Sequence, residues 1–148
     1  MAAANITTFE QVLQSVAALE RTGGAGDGPV PRALAHCAQS IEYSMTGYPK
    51  LRAWPIRALI GPLVKRRFLS KGRMSHDLAA PIAGAPQIDP SITMPEAAAR
   101  LRKAIAAFRG FEGELQPHLA YGKCTKTEYE ALHAMHVADH LRGVSSAR

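Results

Sequence analysis

Apolar residues recur at intervals of three and four positions in four segments of the chain, which is the pattern of amphipathic helices. In the first segment, for example, Phe9, Val12 and Val16 share one face. The four segments span about residues 8–22, 32 to 45 or 46, 93 to 109 or 110, and 125–142. The pattern therefore predicts an all-α fold with four long helices.

Three of these segments begin with a threonine followed three residues later by a glutamate, at Thr7, Thr93 and Thr125. In such a capping box the two side chains hydrogen-bond free backbone N–H groups at the start of the helix. The second segment instead has Pro31 in its predicted first turn. The N–H groups of a first turn have no partner within the helix, so proline, which has no N–H, loses no hydrogen bond there. Gly143 is expected to end the last helix.

Prolines separate the second long helix from the third. Pro49, Pro55 and Pro62 predict a broken or bent connection, followed by a short helix around residues 63–69. Residues 77–94 are expected to form a long ordered loop of the kind that often covers a site. The prolines of this loop are Pro81, Pro86, Pro90 and the adjoining Pro95.

The composition favours helices packed closely in a single domain. The chain has 148 residues, of which 47% are hydrophobic but only 6% aromatic, and alanine is abundant. We expect one domain over residues 1–148 with its core at about 8–142, and a homodimer is compatible with so alanine-rich a bundle. Cys37 and Cys124 form no CxxC motif, and they leave the presence of a disulfide open.

The hydrophobic segments are too short to cross a membrane, because no run of about eighteen apolar residues occurs. The N-terminal sequence Met-Ala-Ala-Ala-Asn lacks the basic and hydrophobic regions of a secretory signal. Cytoplasm is the default expectation, and export of a longer, trimmed precursor stays open.

The positive charge is concentrated in one segment, between Glu42 and Asp77, which contains no acidic residue. Its cations are Lys50, Arg52, Arg57, Lys65, Arg66, Arg67, Lys71 and Arg73. The net charge is +6, so the remainder of the chain carries −2. One interpretation is a patch that binds phosphate or anionic lipid; the other is a solvated face whose arginine stems cover apolar surface. Trp54 alone makes no stacking platform, so nucleic acid is not an expected partner.

Three of the six histidines, His133, His136 and His140, lie within eight residues of the last predicted helix. The i, i+4 pair His136 and His140 has the spacing with which two imidazoles on one helix face bind one metal ion. A further ligand would have to come from elsewhere. His36 lies on a polar flank of the second helix with Gln39, Ser40 and Tyr43. Taken singly, such a histidine is also typical of a hydrogen-bonded structural residue.

Several stretches of the chain resemble a branch of the DinB-like superfamily whose function is uncharacterised. They are residues 34–49, 66–74, 80–86, 118–122 and 133–140, and the resemblance extends from about Phe9 to Leu141. It implies a four-helix bundle with the Pro-rich loop between the second and third bundle helices. It also implies a divalent metal held by His36, His136 and His140. Where relatives commonly have a histidine before the last ligand, this chain has Asp139.

Three imidazoles leave coordination positions open, as catalytic sites do, and nitrogen ligands suit Zn or Ni. His133 is interpreted as a fourth ligand, a residue that supports the ligands, or a structural residue, and Asp139 and Tyr43 as residues beside the ligands. Some DinB-like relatives are thiol-dependent transferases or isomerases, so the resemblance implies a small-molecule ligand such as a thiol. No catalytic base is identified; Glu42, Tyr43 and Asp139 qualify only by their proximity along the helices.

Two other hypotheses stay open. In the first, the protein is a non-enzymatic module in which metal clamps two helices while the basic segment docks on an acidic partner. In the second, the bundle keeps a vestigial ancestral site that binds nothing. His76 and Asp77 have no spacing that indicates a site. His118 and Tyr121 are expected to pack the connection before the last helix rather than to join the site.

Overall fold

Five α-helices and one π-helical turn make up the computed structural model, which describes residues 5–23 and 28–146. The helices are α1 (Phe9–Thr22), α2 (Pro29–Thr46), α3 (Gly61–Lys71), α4 (Met94–Gly110) and α5 (Lys126–Ser146). The π-helical turn, Ile56–Ile60, leads directly into α3. Within these ranges there is no named strand, so the all-α prediction is confirmed.

Four of the helices form a bundle. Among the described residues, α1 packs against α4 and α5, and α2 packs against the same two helices. Because α1 and α2 do not pack against each other, they occupy diagonal positions. Helix α3 lies outside this arrangement; among the named elements of the described chain, its partners are α5 and the π-helical turn.

Aromatic and aliphatic side chains from all four bundle helices meet in the core. The rings of Phe9 and Phe108 contact edge to face, with centroids 5.5 Å apart. Leu34, Ile41 and Leu101 are fully buried around them. Small side chains line the contact between α2 and α4, where Ala35, Ala38, Ala97 and Ala98 are buried. Alanine at these positions lets the two helices approach closely.

The capping boxes of α4 and α5 form as the sequence predicts. Glu96 Oε2 accepts from the Thr93 N–H at 2.9 Å, and the Thr93 hydroxyl accepts from the Glu96 N–H. Thr125 and Glu128 make the same pair of bonds before α5. Local hydrogen bonding therefore sets both helix starts.

The capping box of α1 lies one residue later than predicted. Thr8, and not Thr7, has the extended backbone of an N-cap, and its partner is Gln11. Gln11 Oε1 accepts from the N–H groups of both threonines. Glu10 instead lies in the first turn, where a negative charge also suits the positive end of the helix dipole.

Two helix ends lie beyond their predicted positions. Helix α2 begins at Pro29, about three residues early, because its first turn accommodates prolines. Helix α5 continues through Gly143 to Ser146. A Cβ on Gly143 would lie 2.1 Å from Leu78 Cδ1, so this glycine makes room for a loop side chain instead of ending the helix.

The predicted short helix around residues 63–69 is confirmed as part of α3, but the prolines at 55 and 62 do not interrupt the helical tract that leads into it. Pro55 precedes the π-helical turn, and Pro62 lies in the first turn of α3. The N–H of Gly61 bonds the carbonyl of Ile56, five residues back. This wider turn leaves space for the Pro62 ring, so one helical tract runs on to Lys71.

The long loop between α3 and α4 lacks regular helix, as predicted. Gln39 Nε2 of α2 donates to the carbonyl of Pro86 at 3.0 Å. At the start of the loop, the His76 N–H donates to Asp139 Oδ2 of α5 at 3.1 Å. The loop is thus tied to the two helices that carry the predicted ligands. No helix of the described chain is long and apolar enough to cross a membrane.

Candidate metal centre

The structure brings together His36 of α2 and His136 and His140 of α5. One nitrogen of each ring lies within 4.8 Å of the corresponding nitrogens of the other two. The ring centroids are 5.1 Å apart for His36 and His136, 5.0 Å for His36 and His140, and 4.9 Å for the pair on α5. Histidines that are a hundred residues apart in the sequence therefore face a common point.

Helix geometry and helix packing each supply part of this arrangement. Positions 136 and 140 are one turn apart, so their side chains leave α5 on the same face. Because α2 packs directly against α5, a residue on the facing side of α2 can meet them. His36 occupies that place.

Burial keeps these three imidazoles neutral. The loss of surrounding water lowers the pKa of His140 to about 4, lowers that of His136 well below its usual value, and lowers that of His36. A neutral imidazole has a free nitrogen lone pair, which is the form that binds metal. His140 Nε2 is buried and has no hydrogen-bond partner among the described residues.

The spacing of the nitrogens suits a divalent ion after small side-chain rotations. Zinc takes nitrogen ligands at about 2.0–2.1 Å in a tetrahedron, which sets them about 3.3 Å apart. The observed separations reach up to 4.8 Å. The donor set and its unpartnered nitrogen therefore fit a metal ion.

His76, to which sequence analysis assigned no role, lies beside the three histidines. Its ring centroid is 4.6 Å from that of His136 and 5.1 Å from that of His140. Its Nδ1 is 2.6 Å from Asp139 Oδ2, which also accepts from its backbone N–H. Spacing could not have identified a residue sixty positions away in the sequence.

Asp139, directly before His140 in the sequence, faces the loop. Besides its contacts with His76, its Oδ1 accepts from Arg142 Nη2 at 3.3 Å. Arg142 also donates to the carbonyl of Met74 at 3.1 Å. Asp139 and Arg142 together hold the start of the loop against α5.

His133 and Tyr43 do not belong to the group whose ring nitrogens converge, although His133 lines the same cavity as His36 and His136. His133 is buried, stacks on Tyr129 at 5.1 Å and contacts the edge of Phe108. Burial lowers its pKa to about 3. Tyr43 is two helical turns from His36 and contacts Tyr48. Of the interpretations for His133, the structural one agrees best with this aromatic environment.

His118 packs the connection before α5, as expected, but with Tyr121 it also lines the cavity beside His36 and His136. Its ring stacks on Tyr121 with centroids 4.2 Å apart. Its Nδ1 accepts from the backbone N–H groups of Ala120 and Tyr121 at 3.1 and 3.2 Å. Burial lowers its pKa to about 3, so the ring stays neutral and can accept both bonds.

Both cysteines are free thiols. Cys37 is buried in the core and Cys124 is partly buried. Burial raises the pKa of both, that of Cys124 to about 11. The question left open by the sequence is thereby answered for the described residues: there is no disulfide, and neither thiol ionises readily at neutral pH.

A cavity of about 430 Å³ opens beside the histidines, and His36, His76 and His136 form part of its wall. The rest of the wall is largely apolar. It also carries the charged side chains of Lys50, Arg52 and Asp77 and the rings of His118, Tyr121 and His133. This volume lies within the range typical of sites for small molecules.

A second cavity of about 600 Å³ reaches the same centre from the other side, where His36 and His140 line it. Ala80 and Pro81 line both cavities. The long loop therefore lies over the histidines and separates the two approaches, in agreement with the prediction that it covers a site.

The comparisons with known proteins give one match. The model of a family described as protein of unknown function, DUF1569, matches residues 3–147. The chain belongs to the DUF1569 family. A search of curated proteins and a search of solved structures each returned no match. Because the family description assigns no activity, the function of this DUF1569 protein has to be argued from its site.

The donor set of this DUF1569 protein limits which ions would suit the centre. Three imidazole nitrogens converge, and the nearest carboxylate, that of Asp139, is directed to His76 and Arg142. Magnesium and calcium prefer oxygen ligands, whereas zinc and nickel accept imidazole readily. The site could thus hold a divalent transition metal or zinc.

Proposed function

We propose that this protein is a DinB-like bundle that binds a divalent metal ion, zinc or nickel, through His36, His136 and His140. The observation that carries the proposal is the convergence of three neutral imidazoles from two helices beside a cavity. His140 Nε2, buried without a hydrogen-bond partner among the described residues, supports it, because such an atom is costly unless it is satisfied.

We further propose that the protein acts on a small molecule in the adjoining cavity. An ion held by only three histidines has open positions, where it lowers the pKa of a bound water or thiol and so supplies a nucleophile near neutral pH. Apolar side chains of the wall exclude water from the bound molecule. At the same wall Lys50 and Arg52 outnumber the single carboxylate of Asp77, and this excess of positive charge favours a substrate with an anionic group.

Thiol-linked chemistry is the reaction class that we propose, and the thiol would belong to the ligand. Cys37 is buried, and burial raises the pKa of Cys124 to about 11, so neither offers a ready thiolate. A thiol-dependent transferase built on this site would therefore take its thiol from solution.

Metal content tests the first step of the proposal. Protein purified without a histidine tag and incubated with zinc or nickel is expected to hold about one ion per chain by elemental analysis. His36→Ala and His136→Ala should each lose it, and His133→Phe, on the same helix, should keep it. Absence of metal from the wild type, or equal loss in His133→Phe, would contradict the assignment.

Cobalt substitution tests the second step. A thiol that binds an open position of a cobalt-loaded site adds a sulfur-to-metal charge-transfer band to the absorption spectrum. We expect the band with small thiols and not with the matched alcohols. If cobalt binds but no thiol alters its spectrum, the proposal of metal binding is supported and the proposal of thiol-linked chemistry is rejected.

A second candidate function is a structural clamp, favoured by the fact that the three histidines join α2 to α5. Loss of a structural ion should collapse the fold, whereas loss of a functional ion should not. We expect His136→Ala to remove the metal while its melting temperature in the absence of metal stays close to that of the metal-free wild type. A collapse of the fold would favour the clamp.

A further inference from the structure

The helical tract formed by the π-helical turn and α3 turns an apolar face to solvent. Ile56, Leu59, Ile60 and Leu63 follow one another at helical spacing, with 38%, 65%, 56% and 65% of their surface exposed. Trp54, 68% exposed, lies at the start of the tract. With Leu51, 43% exposed, these residues form what we call the outer apolar face. A contiguous exposed apolar surface commonly marks an interaction site.

Contacts on the opposite face of the tract attach it to the rest of the protein, and these contacts keep the outer apolar face directed to solvent. A Cβ on Gly61 would lie 2.2 Å from the carbonyl oxygen of Ala120, which shows how closely the backbones approach. Lys65 Nζ donates to the carbonyl of Lys123 at 2.8 Å and to Glu128 Oε2 at 3.0 Å. The tract therefore cannot turn its apolar face inward without breaking these contacts.

Positive charge surrounds the outer apolar face. The exposed cations of the same segment are Lys50, Arg52, Arg66, Arg67, Lys71 and Arg73, and no acidic residue lies between Glu42 and Asp77. A second copy docked through this face would bring two such segments together with no carboxylate from either, which is unfavourable. Charge complementarity calls for a negative surface.

We propose that the outer apolar face docks on an anionic lipid surface. A helix that carries tryptophan and aliphatic residues on one side, with arginine and lysine beside them, lies in the interface of a membrane. Its apolar side chains insert among the lipids, and the cations bind the headgroups. Leu59, Ile60 and Leu63 line neither cavity beside the histidines, and a shallow stripe of this kind suits a fluid surface better than a shaped protein groove.

The docked orientation would place the lipid surface next to the candidate metal centre. Leu51 of the outer apolar face and the neighbouring cation Arg52 also line the 430 Å³ cavity. Docking itself requires neither metal nor catalysis, so it stands or falls independently of the proposed function.

Trp54 reports directly on this proposal, because it is the single tryptophan of the chain. Vesicles of phosphatidylcholine with phosphatidylserine should shift its fluorescence to shorter wavelength and protect it from acrylamide quenching. Vesicles of phosphatidylcholine alone should do neither, and added salt should weaken the effect. Cosedimentation with the same vesicles measures the partition coefficient.

Two matched pairs of variants separate the apolar and electrostatic parts of the interaction. Leu59→Ser with Leu63→Ser should lower the partition coefficient at least tenfold, whereas Leu59→Met with Leu63→Met should change it little. Arg67→Glu should lower it about thirtyfold. Lys103→Glu makes the same charge change on α4, which does not contact α3 in the described chain, and should lower it less than threefold. Circular dichroism confirms that each variant is folded.

Three results would overturn the proposal. The first is no partition of the wild type into anionic vesicles at low salt. The second is equal weakening by Lys103→Glu and Arg67→Glu, which would show attraction by net charge alone. The third is a dimer in sedimentation analysis that Leu59→Ser with Leu63→Ser dissociates, which would assign the face to a second copy. Binding to polyglutamate without binding to vesicles would indicate an acidic protein partner instead.

Discussion

At the scale of single residues, Asp139 shows how one side chain can link a loop to a candidate site. Its carboxylate lies 2.6 Å from His76 Nδ1, accepts from the His76 N–H and binds Arg142. Its position in the sequence, directly before His140, suggested a role beside the ligands. Its partner on the loop was visible only in the folded chain.

Replacing Asp139 tests this role. We expect Asp139→Ala to lower the free energy of unfolding by about 2–3 kcal/mol, because the His76 N–H and Arg142 lose a charged acceptor. The metal stoichiometry should not change. Urea unfolding and elemental analysis measure the two effects, and loss of the ion in this variant would make Asp139 a ligand and disprove the assignment.

His133 should make stability depend on pH. Its pKa is about 3 in the fold and about 6.5 when unfolded, so below pH 6.5 the unfolded chain takes up a proton that the folded chain does not. The stability is complete above pH 6.5 and falls as the pH is lowered. The free energy of unfolding of His133→Phe should depend less steeply on pH, by about 1.4 kcal/mol per pH unit, because one proton fewer is taken up on unfolding. Urea unfolding of the wild type and His133→Phe between pH 7 and 5, with a chelator present, measures this difference. Equal pH dependence in the two proteins would contradict the prediction.

At the scale of elements, the tract from Ile56 to Lys71 contains the predicted short helix but begins several residues before it. Three prolines predicted an interrupted connection, but the π-helical turn accommodates Pro62, and Pro55 precedes that turn. Gly61 then lets the tract lie against the turn at Ala120. The outcome is a helix with its inner face fixed and its apolar outer face exposed.

Two glycine substitutions test the close approach. Gly61→Ala should destabilise the protein by about 1–3 kcal/mol, because the new Cβ would meet the Ala120 carbonyl oxygen at 2.2 Å. Gly110→Ala, at the end of α4 with nothing within 4 Å of the new Cβ, should be neutral or stabilising by up to about 1 kcal/mol. Thermal unfolding of both variants and of the wild type measures these changes in stability. Similar stability of the two would show that the tract shifts freely.

At the scale of the whole molecule, two cavities meet at the three histidines, and the long loop lies between them. The ligands come from α2 and α5, so an ion bound there joins two helices that already pack against each other. Metal binding should therefore add to a fold that exists without it.

A titration of melting temperature with zinc tests this expectation. At a metal concentration a hundredfold above the Kd, binding should stabilise the folded state by about 2.7 kcal/mol. For a chain of this size the melting temperature should rise by roughly 5–10 °C. His36→Ala should abolish the rise and His133→Phe should retain it. A rise that persists in His36→Ala would place the ion elsewhere.

The sequence by itself determined the helices and one half of the site. Helix hydrogen bonds join residues four apart, so apolar spacing, capping boxes and the face shared by His136 and His140 can be predicted locally. The differences at Thr8, Pro29 and Gly143 are of one to four residues, where competing caps and neighbouring loops decide.

Tertiary structure decided what local rules cannot reach. The meeting of His36 with His136 and His140 depends on which helices pack together, and sequence reasoning reached it only through a family resemblance. The place of His76 and the outward direction of the outer apolar face depend on contacts between residues about sixty positions apart. Such contacts depend on the packing of side chains from all helices at once, which periodicity does not contain.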